Sequence, residues 1–190
     1  MRLSTLSIAA ATLIVGAVQA QAASYAIDPT HTFVTFEIGH FGTSTNRGRF
    51  DKKEGSIEFD RAGKNGKVEI VIDMASINTG VAAFDKHLRS PDLLDATKYP
   101  TAKFVANKLS FNGDKVAEVT GTLTLLGKTN PVTLKATNFN CYDSPMLKRE
   151  VCGGDFETTI DRTQYGVNYG IDWGFPKNVR LLVQAEAVKQ

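Results

Sequence analysis

The sequence predicts an all-β fold: antiparallel strands, about eight of them, closed into a barrel or stacked as a sandwich, with a short helical segment near 84–96. Three observations lead there. Apolar residues recur at every second position through most of the chain, and the dominant period is two rather than 3.6. Asn-Gly pairs and other turn signals punctuate these runs at short intervals. Each run has one apolar and one polar face, as antiparallel strands with one solvated side require.

Residues 1–22 stand apart from the strand pattern. Arg2 supplies an early positive charge. The segment 8–18 is apolar except for Thr12 and Gly16, and Ala20, Gln21 and Ala22 have the small-x-small spacing of a signal peptidase site. This reads as a cleavable secretory signal. The apolar run is shorter than the roughly 20 residues that cross a bilayer. Residues 23–190 remain, with no repeats, low-complexity tracts or linkers, and they read as one domain. The formal net charge is +2 for the whole chain and +1 once Arg2 is removed. Near-neutrality argues against nucleic acid as the main partner, which demands a basic patch or stripe.

The first expected strands are 25–27, 32–40, 45–50 and 55–60, and some of the short ones are expected to merge into the total of about eight. In 32–40, Val34, Phe36 and Ile38 form the apolar stripe, and His40 ends it. Asn65 and Gly66 mark a hairpin turn into 67–73, where Val68, Ile70 and Ile72 share a face. Alternation stops at 84–90, which can form a short helix, and Pro91 suits its end or the start of a second turn around 92–96. Strand 101–111 carries Phe104. Asn112 and Gly113 turn into 116–126, with Val119, Leu123 and Leu125 on one face. Strand 130–139 alternates Val132, Leu134 and Ala136 with polar residues. Phe156 and Ile160 flank Thr158 in 154–161, and Leu181 lies on the apolar face of 178–188. Lys, Glu and Arg occupy the opposite faces, which suits water outside. An outer-membrane barrel would turn apolar residues toward lipid.

Cys141 and Cys152 are the only cysteines, with ten residues between them. Export places them in an oxidising compartment. A metal or redox pair calls for C-x-x-C spacing or nearby histidines, and neither is present. A disulfide is expected, contributing about 2–3 kcal/mol by the loop-entropy account.

Signatures of catalysis and cofactor binding are missing. There is no H-E-x-x-H pair, P-loop or G-x-S-x-G elbow, and Gly39, Gly42 and Gly48 are spaced wrongly for a dinucleotide loop. No enzyme activity, cofactor or metal is expected. His31 follows Asp28, Pro29 and Thr30 and suits a turn. His40 either marks a cavity mouth or is a hydrogen-bonded strand end. Arg89, in a cluster with Asp85, Lys86 and His87, either binds a phosphate or carboxylate or serves a helix end. Tyr165, Tyr169, Trp173 and Phe175, interleaved with Gly166, Gly170 and Gly174, form either a portal or a plug.

Several of these stretches resemble one family. The run DKHLRSPDLLD at 85–95, with Tyr99, Pro100 and Phe104 after it, is similar to the H-L-R-S-x-D-[FL]-[FL]-[DN] and Y-P-x-x-x-F patterns of YceI-like periplasmic proteins, also described as polyisoprenoid-binding. His31, Phe33, Val34, Phe36, Ile38 and His40 resemble that family's first long strand. Gly121, Leu123, Thr124, Leu125 and Gly127, with 131–134, resemble a later pair. The resemblance implies a lipocalin-like, extended antiparallel β-barrel with a long apolar cavity, a periplasmic location and often a homodimer. It also implies a long-chain isoprenoid or other amphiphilic lipid as partner, without catalysis. The Cys141–Cys152 loop is not part of the family pattern.

Assigned by strand face, the candidate lining takes Val34, Phe36 and Ile38 from the first long strand, then Val68 and Ile70, then Phe104. Leu123, Leu125 and Leu134 follow, and Phe156, Ile160 and Leu181 complete it. His40 and Arg89 are the candidates for polar contacts. Each buried methylene contributes roughly 0.8 kcal/mol, against association costs of about 4–15 kcal/mol, so a long tail is needed. Two rivals remain at this point: an enzyme acting on a lipid or quinone, and an interaction module with a filled core.

Overall fold

The alternating runs become eleven strands and one helix in the structure, a computed structural model that describes residues 22–190. In chain order the strands are β1 (Ala23–Ile27), β2 (Phe33–His40), β3 (Ser44–Phe50), β4 (Lys53–Asp60), β5 (Asn65–Asp73) and β6 (Ile77–Asn78). The helix α1 (Ala82–Leu88) follows. Then come β7 (Thr101–Asn112), β8 (Lys115–Leu125), β9 (Lys128–Asp143), β10 (Glu150–Asp161) and β11 (Asn178–Lys189).

Six of the short strands are halves of longer ones. β1 and β2 both pair with β11, at its C-terminal and N-terminal parts respectively. β3 pairs with β2 and β6, while β4 pairs with β1 and β5. The three composite strands and β7–β11 make an eight-strand, up-and-down antiparallel barrel, closed where β1 meets β11. Closure removes the exposed edges of an open sheet.

The break between β1 and β2 is bridged by side chains. The Asp28 carboxylate accepts from the Thr30 N–H at 2.8 Å, which turns the chain. The buried Thr32 hydroxyl donates to the Glu186 carbonyl at 3.1 Å, and it accepts from the Glu186 N–H at 3.2 Å. A side chain thus supplies ladder bonds where the backbone leaves the sheet. In β8, Gly121 sits against β7 so closely that an added Cβ would collide with the Val105 carbonyl and lie 2.6 Å from the Ala106 Cβ.

Three expectations need correction. The turn between β4 and β5 falls on 61–64, with Lys64 taking a φ of 51°, and Asn65 and Gly66 already pair with Asp60 and Phe59 inside the hairpin. The helix is shorter than 84–96: it spans Ala82–Leu88, and 89–98 run as turns. Pro91 is the physical reason, since it disfavours helical φ/ψ at Ser90 and cannot donate. The turns are held by Asp95 N–H to Ser90 O at 2.8 Å and Ala96 N–H to Arg89 O at 3.1 Å. β9 and β10 run beyond the expected 139 and 154, to Asp143 and from Glu150. Their meeting ends carry polar residues and Gly153 and Gly154, so alternation fades although pairing continues. Cys141 and Cys152 face each other in this extension and are disulfide-bonded.

The interior divides into two halves. In one, Tyr25, Phe59, Phe104, Val119 and neighbours pack solidly, with Phe59 stacked on Phe111 at 6.2 Å between ring centroids. In the other, Val34, Phe36, Phe50, Ile72 and Met74 form a wall. The proposed secretory signal lies, but for Ala22, outside the described residues.

Candidate ligand-binding site

The second half of the barrel is hollow. Its cavity measures about 470 Å³, within the range of small-molecule sites. The strands contribute Val34, Phe36 and Ile38 from β2, Phe50 from β3, Ile72 from β5, Ala102 from β7, and Leu123 and Leu125 from β8. Ile160 and the pair Val179 and Leu181 close the circle from β10 and β11. These are the inward positions of each strand, so the period of two places them there.

Two covers lie over the open end. One is α1 with its following turns, which lends Phe84, His87, Leu88, Leu93 and Leu94. The other is the β10–β11 connection, with two short 3-10 turns (Arg162–Tyr165 and Ile171–Trp173). Gly166 and Gly170 take φ of 90° and 77°, which lets this segment fold back on itself. It lends Val167, Tyr169, Trp173 and Phe175 to the cavity. The covers touch through His87 on Tyr169, ring centroids 4.9 Å apart, and Tyr169 in turn meets Trp173 at 5.2 Å. Phe41, Phe175 and His40 form a second aromatic group, with the Phe41–Phe175 centroids 4.9 Å apart. Phe41 and Trp173 are 51% and 63% exposed, so aromatic rings form a rim between cavity and solvent.

The polar part of the lining is small: His40, Asn46, His87 and Arg162, beside the amphipathic rings of Tyr169 and Trp173. Arg162 is 5% exposed. Its Nε donates to the Pro176 carbonyl at 2.9 Å and its Nη1 to the Val167 carbonyl at 3.0 Å. Burial lowers its pKa from the ordinary arginine value. Among the described residues, nothing accepts from its Nη2.

Of the residues assigned by strand face, Val34, Phe36, Ile38, His40, Leu123, Leu125, Ile160 and Leu181 meet at this cavity. Phe104 is buried in the packed half, and Val68, Leu134 and Phe156 lean against it. Ile70 packs on the wall of the hollow half without lining the cavity. A period of two tells which face points inward but not how far along the barrel a residue lies. Arg89 caps α1 through its backbone N–H and is not on the lining. In the same cluster, the Asp85 carboxylate accepts from the Thr79 N–H at 2.7 Å and the Thr79 hydroxyl at 2.6 Å, which holds the turn before the helix.

Tyr165 is 1% exposed and belongs to the packed core, unlike Tyr169, Trp173 and Phe175. Strand alternation does not reach Arg162, because β10 ends at Asp161 and Arg162 opens the 3-10 turn that follows, two positions beyond the cavity-lining Ile160. Donor atoms of Cys141, Glu150 and Cys152 lie within 4.8 Å of one another. The two sulfurs are bonded to each other, so no thiolate is there to hold a metal. Glu150 instead accepts from the Tyr25 hydroxyl at 2.6 Å.

A model of the YceI-like domain matches residues 25–187. The chain belongs to the YceI-like family. A UPF0312 protein of Pseudomonas putida is 39% identical over 187 residues, covering 97% of this chain and 96% of that protein. One from Pseudomonas savastanoi is 42% identical over 170 residues, 88% of each chain. Among solved structures, a Campylobacter jejuni YceI protein superposes with a TM-score of 0.69 at 26% identity, covering 80% of this chain and 90% of that one. A polyisoprenoid binding domain from Saccharophagus degradans, implicated in plant cell wall breakdown, has a TM-score of 0.65 at 18% identity, covering 88% and 99%. That likeness shows the shared fold. Among the described residues of this YceI-like chain, no helix is long and apolar enough to cross a membrane.

Proposed function

We propose that this YceI-like protein is a periplasmic carrier that holds the tail of a long-chain amphiphile, such as an isoprenoid quinone or a polyprenyl phosphate, inside the barrel. The observation that carries the reading is the hollow half: about 470 Å³ of apolar cavity under an aromatic rim. A packed interaction module has no reason to leave such a volume unfilled, since empty space in a core destabilises it. Residues 1–22 act as the export signal and 23–190 as the single binding domain in this reading. The disulfide is compatible with an oxidising periplasm.

Each methylene that leaves water contributes roughly 0.8 kcal/mol. Ten to fifteen such groups give about 8–12 kcal/mol gross, which exceeds the association cost only for long tails. A polyprenyl tail of great length continues past the rim into solvent or a partner. The polar lining is assigned to binding rather than catalysis.

The test is mass spectrometry of an organic extract from protein purified from the periplasm without detergent, beside a mock preparation. A single class of long-chain amphiphile at near-stoichiometric amount is expected. An extract matching the mock, together with failure to take up quinones or polyprenyl phosphates offered afterwards, overturns the proposal.

A further inference from the structure

We infer that Arg162 is the head-group anchor of the cavity, and that the amphiphile held there carries an anionic oxygen, a carboxylate or a phosphate. This rests on the reading of the cavity as a lipid site and adds the chemistry of the end that the tail cannot specify.

Three surface arginines have counter-charges that the buried Arg162 lacks. Arg47, Arg49 and Arg180 lie half-exposed, and each is paired with a carboxylate at 2.5–3.1 Å: Glu37, Asp51, and both Glu37 and Glu157, respectively. Arg162 is 5% exposed, lines an apolar cavity, and is in no ion pair among the described residues. Guanidinium stays protonated in proteins. A buried charge without a counter-charge is the costly arrangement, and a surface pair contributes little. The carboxylates sit with the surface cations, and the buried cation has none.

Asp161, the neighbouring acid, is committed elsewhere. Its carboxylate accepts from the Thr163 N–H at 3.0 Å and the Thr163 hydroxyl at 2.6 Å, and it faces Lys177 at 3.4 Å. Two guanidinium nitrogens are fixed on the carbonyls of Pro176 and Val167, which explains how Arg162 staples the β10–β11 connection. The staple does not use Nη2, which remains a donor without an acceptor. The rest of the polar lining points the same way. No carboxylate lines the cavity among the described residues, whereas His40, His87, Asn46 and Trp173 can all donate. A site rich in donors and free of acids favours an oxyanion and disfavours an amine or quaternary ammonium head.

The test compares ligands with one tail and different heads on delipidated, disulfide-intact protein, by equilibrium dialysis. One set is farnesyl phosphate against farnesol, and the other is palmitate against hexadecanol. The wild type is expected to bind at least one anion about tenfold or more tightly than its alcohol, the scale of a hydrogen bond to a charged group. Preference for farnesyl phosphate alone assigns a phosphate head, and preference for palmitate alone assigns a carboxylate. In Arg162→Gln the anion-to-alcohol ratio is expected to fall toward unity, and Arg162→Lys is expected to restore part of it. Equal binding of anion and alcohol by the wild type overturns the inference while leaving the carrier reading in place, and this comparison does not depend on any variant folding. Binding of none of the four overturns the inference, and the carrier reading is then decided by the extract and the uptake of longer-tailed quinones and polyprenyl phosphates.

Discussion

Thr32 shows how one hydroxyl can stand in for a stretch of ladder. It both donates to and accepts from the backbone of Glu186, at 3.1 and 3.2 Å. Thr32→Val keeps the shape and removes both bonds. The Glu186 carbonyl still accepts from the Asp28 N–H at 2.8 Å, but its N–H loses the Thr32 partner. The expected loss is about 1–3 kcal/mol, the cost of leaving a buried donor unmet. It is read as a shift of the urea midpoint at constant slope, and an unchanged midpoint contradicts the role given to the hydroxyl. Nearby, His31 Nδ1 meets Asp28 Oδ2 at 2.7 Å. The bond to His31, helped by Thr30, holds the Asp28 carboxyl down at about 2 from its ordinary 3.8. The same bond to Asp28 raises His31 above 6.5. Asp28 therefore contributes stability above its unfolded pKa that is lost as pH falls from 3.8 toward 2. The His31 contribution is complete below 6.5 and is lost as pH rises through its raised folded value. The pair helps most between these limits, and because His31 is exposed the effect on stability is small. Asp28→Asn is expected to lower the titration midpoint of the His31 ring in an NMR titration. A midpoint that does not move shows that the contact is not made in solution.

At the scale of elements, the strands were largely readable because their apolar residues face one interior. β2 and β11 alternate over most of their length, and their limits emerge within a residue or two of the reading. The composite strands were harder to see, since a bend between halves of one strand carries the same turn residues as a loop between two. The meeting of β9 and β10 was missed because a cross-strand disulfide and two glycines hold it without alternation. The cavity was half legible: side-chain direction follows from the period, but depth along the barrel is set by neighbouring strands. This is why Val34 and Leu181 reach the cavity while Val68 and Phe156 join the packed half. The contact of β7 with β8 is governed by Gly121, where β7 leaves no space for a methyl group. Gly121→Ala is expected to destabilise the barrel by about 1–3 kcal/mol through overpacking. Thermal unfolding checks this, and a variant as stable as the wild type would mean that the strands separate freely there.

For the molecule as a whole, the two halves divide the work of a single barrel. One is filled with aromatic rings and joined by the disulfide at its wall, and the other is walled but hollow. Stability and capacity are thus located in different places, and substitutions more than about 7–10 Å apart tend to act additively. Trp173, the single tryptophan, sits on the rim of the hollow half, so its emission reports on occupancy without any label.

The hollow half also makes volume a variable of state. Hydrostatic pressure favours whichever form occupies less space, and the volume lost on unfolding scales with the voids that unfolding abolishes. A barrel that keeps about 470 Å³ unfilled by its own side chains should yield to compression well before one whose cavity is taken up by a tail. Followed through Trp173 fluorescence in a high-pressure cell, the delipidated protein is expected to unfold at lower pressure than the loaded protein, with a larger volume change. Equal volume changes would mean that water, rather than empty space, fills the cavity between ligands.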